Sequence, residues 1–169
     1  MSAREGAGLV IAAALVAGCA GSQAGAAPTV HRGAKADVMN ELGAALGRGG
    51  HRCTVDEDGD LLCDADKKDA PTIVVSYRSG AGGIHLTFVT AFPWRRQDPC
   101  PELAHAVNAF NARASSYYAV CTPIALTLLT MLVVPETGLD DHDVQAFMNW
   151  WAPTAVQLAF NSPLASELK

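Results

Sequence analysis

One hairpin decides the fold, and its sequence reads Cys53-Thr54-Val55-Asp56-Glu57-Asp58-Gly59-Asp60-Leu61-Leu62-Cys63. If Glu57, Asp58 and Gly59 form a three-residue loop, the glycine occupies the left-handed position that such loops require. Cys53 then lies directly opposite Cys63, with Cβ atoms about 4.5–5.5 Å apart, which is close enough for a disulfide bond. A slip of one residue would place the two cysteines on opposite faces, so the pairing depends on this register.

The segments around the hairpin show helical or strand patterns. Apolar residues at helical spacing predict amphipathic helices, and runs of β-branched residues predict strands. The last strand is nearly all apolar, so we expect it to be buried on both faces. The last helix should kink or break at Pro153. The predicted helices cover residues 36–47, 101–114 and 140–161, and the predicted strands cover residues 51–55, 61–64, 72–77, 84–89, 117–121 and 124–134.

The N-terminus has the pattern of a secretory signal. Arg4 precedes an unbroken apolar run over residues 9–17, too short for a membrane-spanning helix of about 20 residues. Val16-Ala17-Gly18-Cys19 resembles the lipobox of bacterial lipoproteins. The resemblance implies cleavage before Cys19 and lipidation of Cys19 with palmitate-type chains, which would anchor the protein to a membrane. The alternatives are an ordinary cleaved signal, with Cys19 incidental, and an uncleaved N-terminal helix.

The lipoprotein interpretation divides the chain into a signal peptide (1–18), a flexible tether (19–34) and a folded domain (35–169). The tether is rich in small and polar residues and has too few large apolar side chains to fold by itself. We therefore expect a protein that is lipid-anchored on the periplasmic side of the cell envelope. Ala20 and Gly21 follow the cysteine without an aspartate, a pattern that resembles lipoproteins sent to the outer membrane.

The charge balance argues against one class of partner. The 169 residues include 12 Lys and Arg and 17 Asp and Glu, for a net charge of −5. Nucleic-acid binding requires clustered basic residues, and the sequence has no basic tract. We therefore expect no nucleic-acid partner.

Four cysteines remain once Cys19 is assigned to the lipid: Cys53, Cys63, Cys100 and Cys121. In an oxidising compartment they predict two disulfides, with three possible pairings, and zinc would require cysteines closer together in sequence. The helix that begins near Cys100 advances about 20 Å and the strand that ends at Cys121 returns about 17 Å. This geometry favours Cys100–Cys121 alongside Cys53–Cys63.

The acidic hairpin loop also invites comparison with a calcium site. An EF-hand loop requires acidic ligands at positions 1, 3 and 5, glycine at 6 and glutamate at 12. A loop counted from Asp56 puts Lys67 at position 12, and a loop counted from Thr54 begins on threonine and ends on Ala65. The pattern fails both ways, so we interpret the loop as a solvated turn.

Catalytic signatures are absent from the sequence. The five histidines are scattered, and there is neither a His-x-x-x-His pair nor a Gly-x-Ser-x-Gly elbow. Asp140, Asp141, His142 and Asp143 could bind a cation, but acidic residues are expected at a helix start because of the helix dipole. We predict no catalytic residue, metal or cofactor, and a metal-dependent or hydrolytic envelope enzyme remains the alternative.

Three motifs accompany the order helix, three strands, helix, two strands, helix. They are Asp58-Gly59-Asp60-Leu61 in the hairpin, Asn108-x-x-Asn111 on the second helix and Gly138-Leu139 before the last helix. Together they resemble the YbjN-type domain, a family described as sensory transduction regulators, with a fold like that of type III secretion chaperones. The resemblance implies an α+β domain of order αβββαββα, in which helices pack on an antiparallel sheet of about five strands. It also implies a fold that often forms homodimers and binds polypeptide.

The function expected from these features is non-enzymatic binding of a protein or peptide, in a chaperone-like or regulatory role, by a lipid-anchored envelope protein. A purely structural envelope protein would have the same sequence features. Aromatic residues and arginine favour interfaces, so the candidate partner patch is Trp94, Arg95 and Arg96. The pair Trp150-Trp151 is a second candidate.

Overall fold

The computed structural model describes residues 27–64 and 71–169. Its one sheet has six antiparallel strands in the order β1-β2-β3-β4-β6-β5. The helices are α1 (Lys35–Arg48), α2 (Cys100–Asn111) and α3 (Asp141–Phe160), followed by a 3₁₀ turn, Ala165–Glu167. The strands are β1 (Cys53–Val55), β2 (Leu61–Cys63), β3 (Ile73–Gly80), β4 (Gly83–Pro93), β5 (Tyr117–Cys121) and β6 (Ala125–Val134).

The predicted α+β class is confirmed, and the sheet has one strand more than the expected five. Four strands precede α2, as the separate strand patterns predicted, whereas the order αβββαββα counted three there; both short arms of the acidic hairpin join the sheet. The hairpin has the predicted register, with Cys53 opposite Cys63 and Gly59 at a φ of 77°. α3 also differs from expectation, since it continues through Pro153 to Phe160.

β3 and β4 extend beyond their predicted ends. Ser79 and Gly80 lie beyond the predicted strand end at residue 77, yet they pair with Ile84 and Gly83, so the connection contains only Ala81 and Gly82. β4 continues to Pro93 because it pairs with β6 along its whole length. β3 and β4 form the middle of the sheet, and half of its core residues belong to them.

α1 and α3 pack on one face of the sheet and enclose the core. Trp151 is fully buried, and its indole Nε1 donates a hydrogen bond to Thr90 Oγ1 at 3.2 Å. Phe147 of α3 contacts Phe88 of β4 with ring centroids 4.8 Å apart. Successive side chains of a strand point to opposite faces, so the alternate residues of β4 and β6 point away from these helices.

The prediction that β6 is buried on both faces is wrong. Met131 is 55% exposed and Val133 is 47% exposed. The two residues lie on the sheet face opposite α1 and α3, whereas Leu128 and Val134 lie beneath the helices and are fully buried. An apolar sequence cannot distinguish these faces, because exposure depends on which helices pack across the sheet.

The boundary between tether and domain lies earlier than predicted. Within the expected tether, Val30 is fully buried and forms a β-bridge with Leu139. Thr29 Oγ1 donates a hydrogen bond to Asp141 Oδ1 at 2.6 Å, and Arg32 Nε donates to the Val134 carbonyl at 3.0 Å. These contacts hold residues 29–32 on the domain.

The predicted signal peptide (1–18), Cys19 and the tether up to residue 26 lie outside the described residues. Within residues 27–64 and 71–169, no helix has both the length and the apolar character needed to cross a membrane.

Candidate functional site

Two disulfides connect the cysteines in the pairs that the sequence favoured. Cys53 and Cys63 are joined with an S–S distance of 2.05 Å, and Cys100 and Cys121 with 2.12 Å. The first links the two strands of the acidic hairpin, and the second ties the start of α2 to the end of β5. Each bridge thus joins neighbouring elements at an edge of the sheet.

The candidate patch of Trp94, Arg95 and Arg96 makes contacts within the protein. Trp94 is only 3% exposed, and its Nε1 donates to the Thr122 carbonyl at 2.8 Å. Arg95 Nε donates to the carbonyl of Leu168. The structure therefore places the aromatic residue of this patch inside the protein.

Arg96 is the member of that patch with the most polar contacts. Its guanidinium contacts Glu102 at 2.5 Å and Glu167 at 2.9 Å. The hydrogen bonds with Glu102 and Glu167 raise the pKa of Arg96 above the ordinary value for arginine. Arg96 thereby connects the end of β4 to α2 and to the C-terminal segment.

The acidic hairpin loop is held by its own aspartates. Asp56 Oδ1 accepts hydrogen bonds from the amides of Asp58 and Asp60 at 3.0 and 2.9 Å. The Asp60 carboxylate accepts from Lys35 Nζ and from Ser76 Oγ, both at 2.6 Å. Burial opposes ionisation of Asp60, but these two hydrogen bonds, the charge of Lys35 and a hydrogen bond from the Tyr77 backbone together outweigh burial and lower its pKa. The loop therefore joins β2 to α1 and β3.

The acidic start of α3 contains a group that could hold a metal ion. Ligand atoms of Asp140, His142 and Asp143 lie within 4.8 Å of one another. Asp140 also caps the helix, because its Oδ1 accepts a hydrogen bond from the Asp143 amide at 2.8 Å. Because aspartate is a preferred N-cap residue, capping alone accounts for its presence at position 140, and no bound metal ion is needed to explain it.

Asp141, in the same segment, holds neighbouring elements together. Its carboxylate accepts hydrogen bonds from the Arg48 guanidinium and from Thr29 Oγ1. These two contacts, with that from Arg48 the stronger, lower the pKa of Asp141 to about 2. α1, α3 and the N-terminal segment thus meet at one carboxylate.

Sequence reasoning did not identify the contact between His51 and Asp64. His51 Nδ1 lies 2.7 Å from Asp64 Oδ2, and the Arg52 amide donates to Asp64 Oδ1 at 3.0 Å. Asp64 is 4% exposed and has a φ of 57°. The contacts support its left-handed backbone where the chain leaves β2.

A large apolar opening lies along β6. It is a groove of about 850 Å³, and it includes side chains that the fold leaves exposed, among them Tyr118 at 61% and Trp150 at 41%. We call it the β6 groove and define it by Arg78, Tyr118, Met131, Val133, Phe147 and Trp150.

The sequence identified only Trp150 among these six residues. Met131 and Val133 were missed because their strand has the apolar pattern of a buried one. Tyr118 and Val120, at alternate positions of β5, are exposed on the same face, but nothing in their sequence distinguishes them from buried residues.

A smaller cleft of about 400 Å³ lies between α2 and α3. Its floor includes Phe110 and Tyr117, whose rings are 5.6 Å apart, and Arg113 lies at its rim. Because the β6 groove is larger and more apolar, it is the stronger candidate for a protein partner.

Comparison with known proteins supplies the fold alone. No protein family and no curated protein matches the sequence. The structure is similar to the crystal structure of YbjN from E. coli, a protein described as a proposed transcription regulator. The TM-score is 0.61 at 13% sequence identity, and the similarity covers 78% of this chain and 94% of that one.

Proposed function

We propose, from the premise of a YbjN-type fold, that this is a lipid-anchored envelope protein that binds a polypeptide without catalysing a reaction. The observation that carries the proposal is the β6 groove, where apolar side chains are exposed around a cavity of about 850 Å³. Exposed apolar patches of this kind mark interaction surfaces. Aromatic residues, methionine and arginine are enriched in protein interfaces, and the groove has all three.

The anchor is the second part of the proposal, and the lipobox-like sequence ending at Cys19 supports it. The chain between Cys19 and the buried Val30 can span at most about 40 Å. The domain would therefore remain within a few tens of ångströms of the membrane surface. A domain held there meets proteins that are inserted in, or travel along, that membrane.

The anchor is tested by metabolic labelling of the native host with an alkyne analogue of palmitate. We expect the wild-type protein to incorporate the label and to sediment with membranes. Cys19→Ala should lose both properties, whereas the neighbouring change Ser22→Ala should lose neither. An unlabelled wild-type protein in the soluble fraction would contradict the anchor.

Binding is tested by placing a photoreactive phenylalanine analogue at Tyr118 in living cells. The matched control carries the same group at His105, which is exposed on α2 outside the groove. We expect crosslinking to a polypeptide from position 118, to little or none from position 105, and a weaker yield when Val133→Lys is added. Equal yields from both positions would argue against binding in the groove.

A further inference from the structure

The hydrogen bonds of Ala125, the first residue of β6, show on which side of the strand its backbone amide and carbonyl lie. The Thr122 amide donates to the Ala125 carbonyl at 2.9 Å, and the Ala125 amide donates to Thr122 Oγ1 at 3.1 Å. Both backbone groups of Ala125 therefore point toward the β5 side. Backbone groups alternate in direction along an antiparallel strand, so those of Met131 and Val133 point to the β5 side as well.

β5 ends before it reaches these two residues. Its pairing with β6 stops at Tyr117 and Thr130, where Thr130 Oγ1 donates to the Ser116 carbonyl at 2.7 Å. Within residues 27–64 and 71–169, no hydrogen-bond partner occupies the outward amides and carbonyls of Met131 and Val133. β6 therefore has a short open edge beyond the end of β5.

The outer edge of β5 is closed at its centre by a side chain. Asn111 Nδ2 donates to the Ala119 carbonyl at 2.8 Å, and the Ala119 amide donates to Asn111 Oδ1 at 2.7 Å. An additional strand on β5 would have to displace this amide. The open edge of β6 requires no such displacement.

The β6 groove surrounds that open edge on both faces of the sheet. Tyr118, Met131 and Val133 lie on the open face, and Phe147 and Trp150 of α3 lie on the helical side. A strand placed there would direct alternate side chains to these two apolar surfaces. The groove thus provides both backbone pairing and side-chain contacts.

Arg78 adds a charge preference. It is exposed at the far end of the groove, and no described residue forms an ion pair with it. A guanidinium beside an apolar groove favours an acidic group on the partner at this position.

We propose that the open edge of β6 binds an extended polypeptide segment as an added strand. The segment alternates apolar side chains between the two faces of the groove and places an acidic side chain near Arg78. This inference rests on the proposed polypeptide-binding function and specifies how the partner binds and what its chemistry is.

The experiment uses a displayed library of random ten-residue peptides, selected on the purified full-length protein. We expect the enriched peptides to alternate apolar residues and to contain Asp or Glu. N-methylation of the backbone amides that face β6 should weaken their binding about tenfold, because each methyl group removes a hydrogen-bond donor.

Protein variants test the edge itself. Val133→Pro removes an outward amide that the pairing with β4 does not use, and edge positions tolerate proline. We expect about tenfold weaker peptide binding for Val133→Pro, with Val133→Lys as a second variant that leaves the backbone intact. Ile124→Lys, which is 79% exposed outside the groove, is the matched control and should bind normally. Arg78→Gln should weaken only peptides that carry the acidic residue.

The outcomes separate this inference from the proposed function. Enriched peptides that bind Val133→Pro and Val133→Lys as tightly as wild type would overturn strand addition while leaving polypeptide binding in place. Failure to enrich any peptide would overturn both. If the purified protein self-associates and Val133→Lys abolishes this, the occupant of the edge is a second copy of the chain. That result would overturn the inference that the added strand comes from a different polypeptide.

Discussion

Gly138 lies directly against the carbonyl oxygen of Val30. A Cβ atom on Gly138 would be 2.7 Å from that oxygen and 2.8 Å from Pro28 Cβ, and the backbone there has a φ of 80°. Val30 and Leu139 bond to each other through both backbone groups, at 2.9 and 3.0 Å. Gly138 is thus what allows the N-terminal segment to approach the start of α3.

Gly138→Ala should therefore destabilise the domain by about 1–3 kcal/mol, through backbone strain and displacement of the N-terminal segment. The free energy of unfolding in denaturant measures this. Gly80→Ala is the matched control, because a Cβ there meets no atom within 4 Å. Similar losses of unfolding free energy for the two variants would show that the close contact between Gly138 and the N-terminal segment does not require glycine.

Asn111→Ala tests the closed edge of β5. It leaves the amide and carbonyl of Ala119, a residue only 3% exposed, without their partners. We expect a loss of about 2 kcal/mol in unfolding free energy. Asn108→Ala, at an exposed position one turn earlier, should change stability by less than about 0.5 kcal/mol. A neutral Asn111→Ala would contradict the role of this side chain.

The two disulfides should contribute separately to stability. On the chain-entropy account, the loops closed by Cys53–Cys63 and by Cys100–Cys121 correspond to about 3 kcal/mol each. Chemical denaturation of Cys53→Ala/Cys63→Ala and of Cys100→Ala/Cys121→Ala measures these contributions. In each double variant, reductant should lower stability further, because the other bridge remains. Peptide mapping without reductant checks the pairs, and a crossed pair would contradict the hairpin register.

Asp141 predicts a pH dependence of stability. Hydrogen bonds from Arg48 and Thr29 lower its pKa from 3.8 to about 2 in the folded protein. The folded state therefore favours the ionised carboxylate, and this contribution is present above pH 4 and is lost as the pH falls toward 2. The difference in Tm between wild type and Asp141→Asn should be largest near neutral pH and should shrink below pH 4. Asp143→Asn, on the same helical turn, is the control for removing a negative charge from this segment while the Arg48 and Thr29 contacts to Asp141 stay in place.

Trp94 and Trp150 should behave differently when truncated. Trp94 is buried and bonded to Thr122, so Trp94→Ala should destabilise the domain by about 3–5 kcal/mol. Trp150 is 41% exposed, so Trp150→Ala should cost less than half as much while weakening peptide binding in the β6 groove. Calorimetry and peptide binding, measured on both variants, check this. Strong destabilisation by Trp150→Ala would show that this side chain serves the core instead.

The sequence predicted those features that depend on short-range spacing. The loop around Gly59 sets the hairpin register, and that register brings Cys53 opposite Cys63. The lengths of α2 and β5 likewise bring Cys100 to Cys121. The individual helices and strands follow from periodicities within each segment, and the α+β class from the resemblance that their order and three motifs carry. All of these depend on residues that are close in the chain, where geometry leaves few alternatives.

The candidate site depends on contacts between distant segments, which local patterns do not contain. The apolar residues of β6 are alike in sequence, yet α1 and α3 cover only one face and leave Met131 and Val133 exposed. Trp94 is buried because the C-terminal segment packs beside it. By itself, the sequence determined the kinds of element, the register of the first hairpin and the cysteine pairs. Only the tertiary structure decided which apolar surface stays open, because burial results from long-range packing.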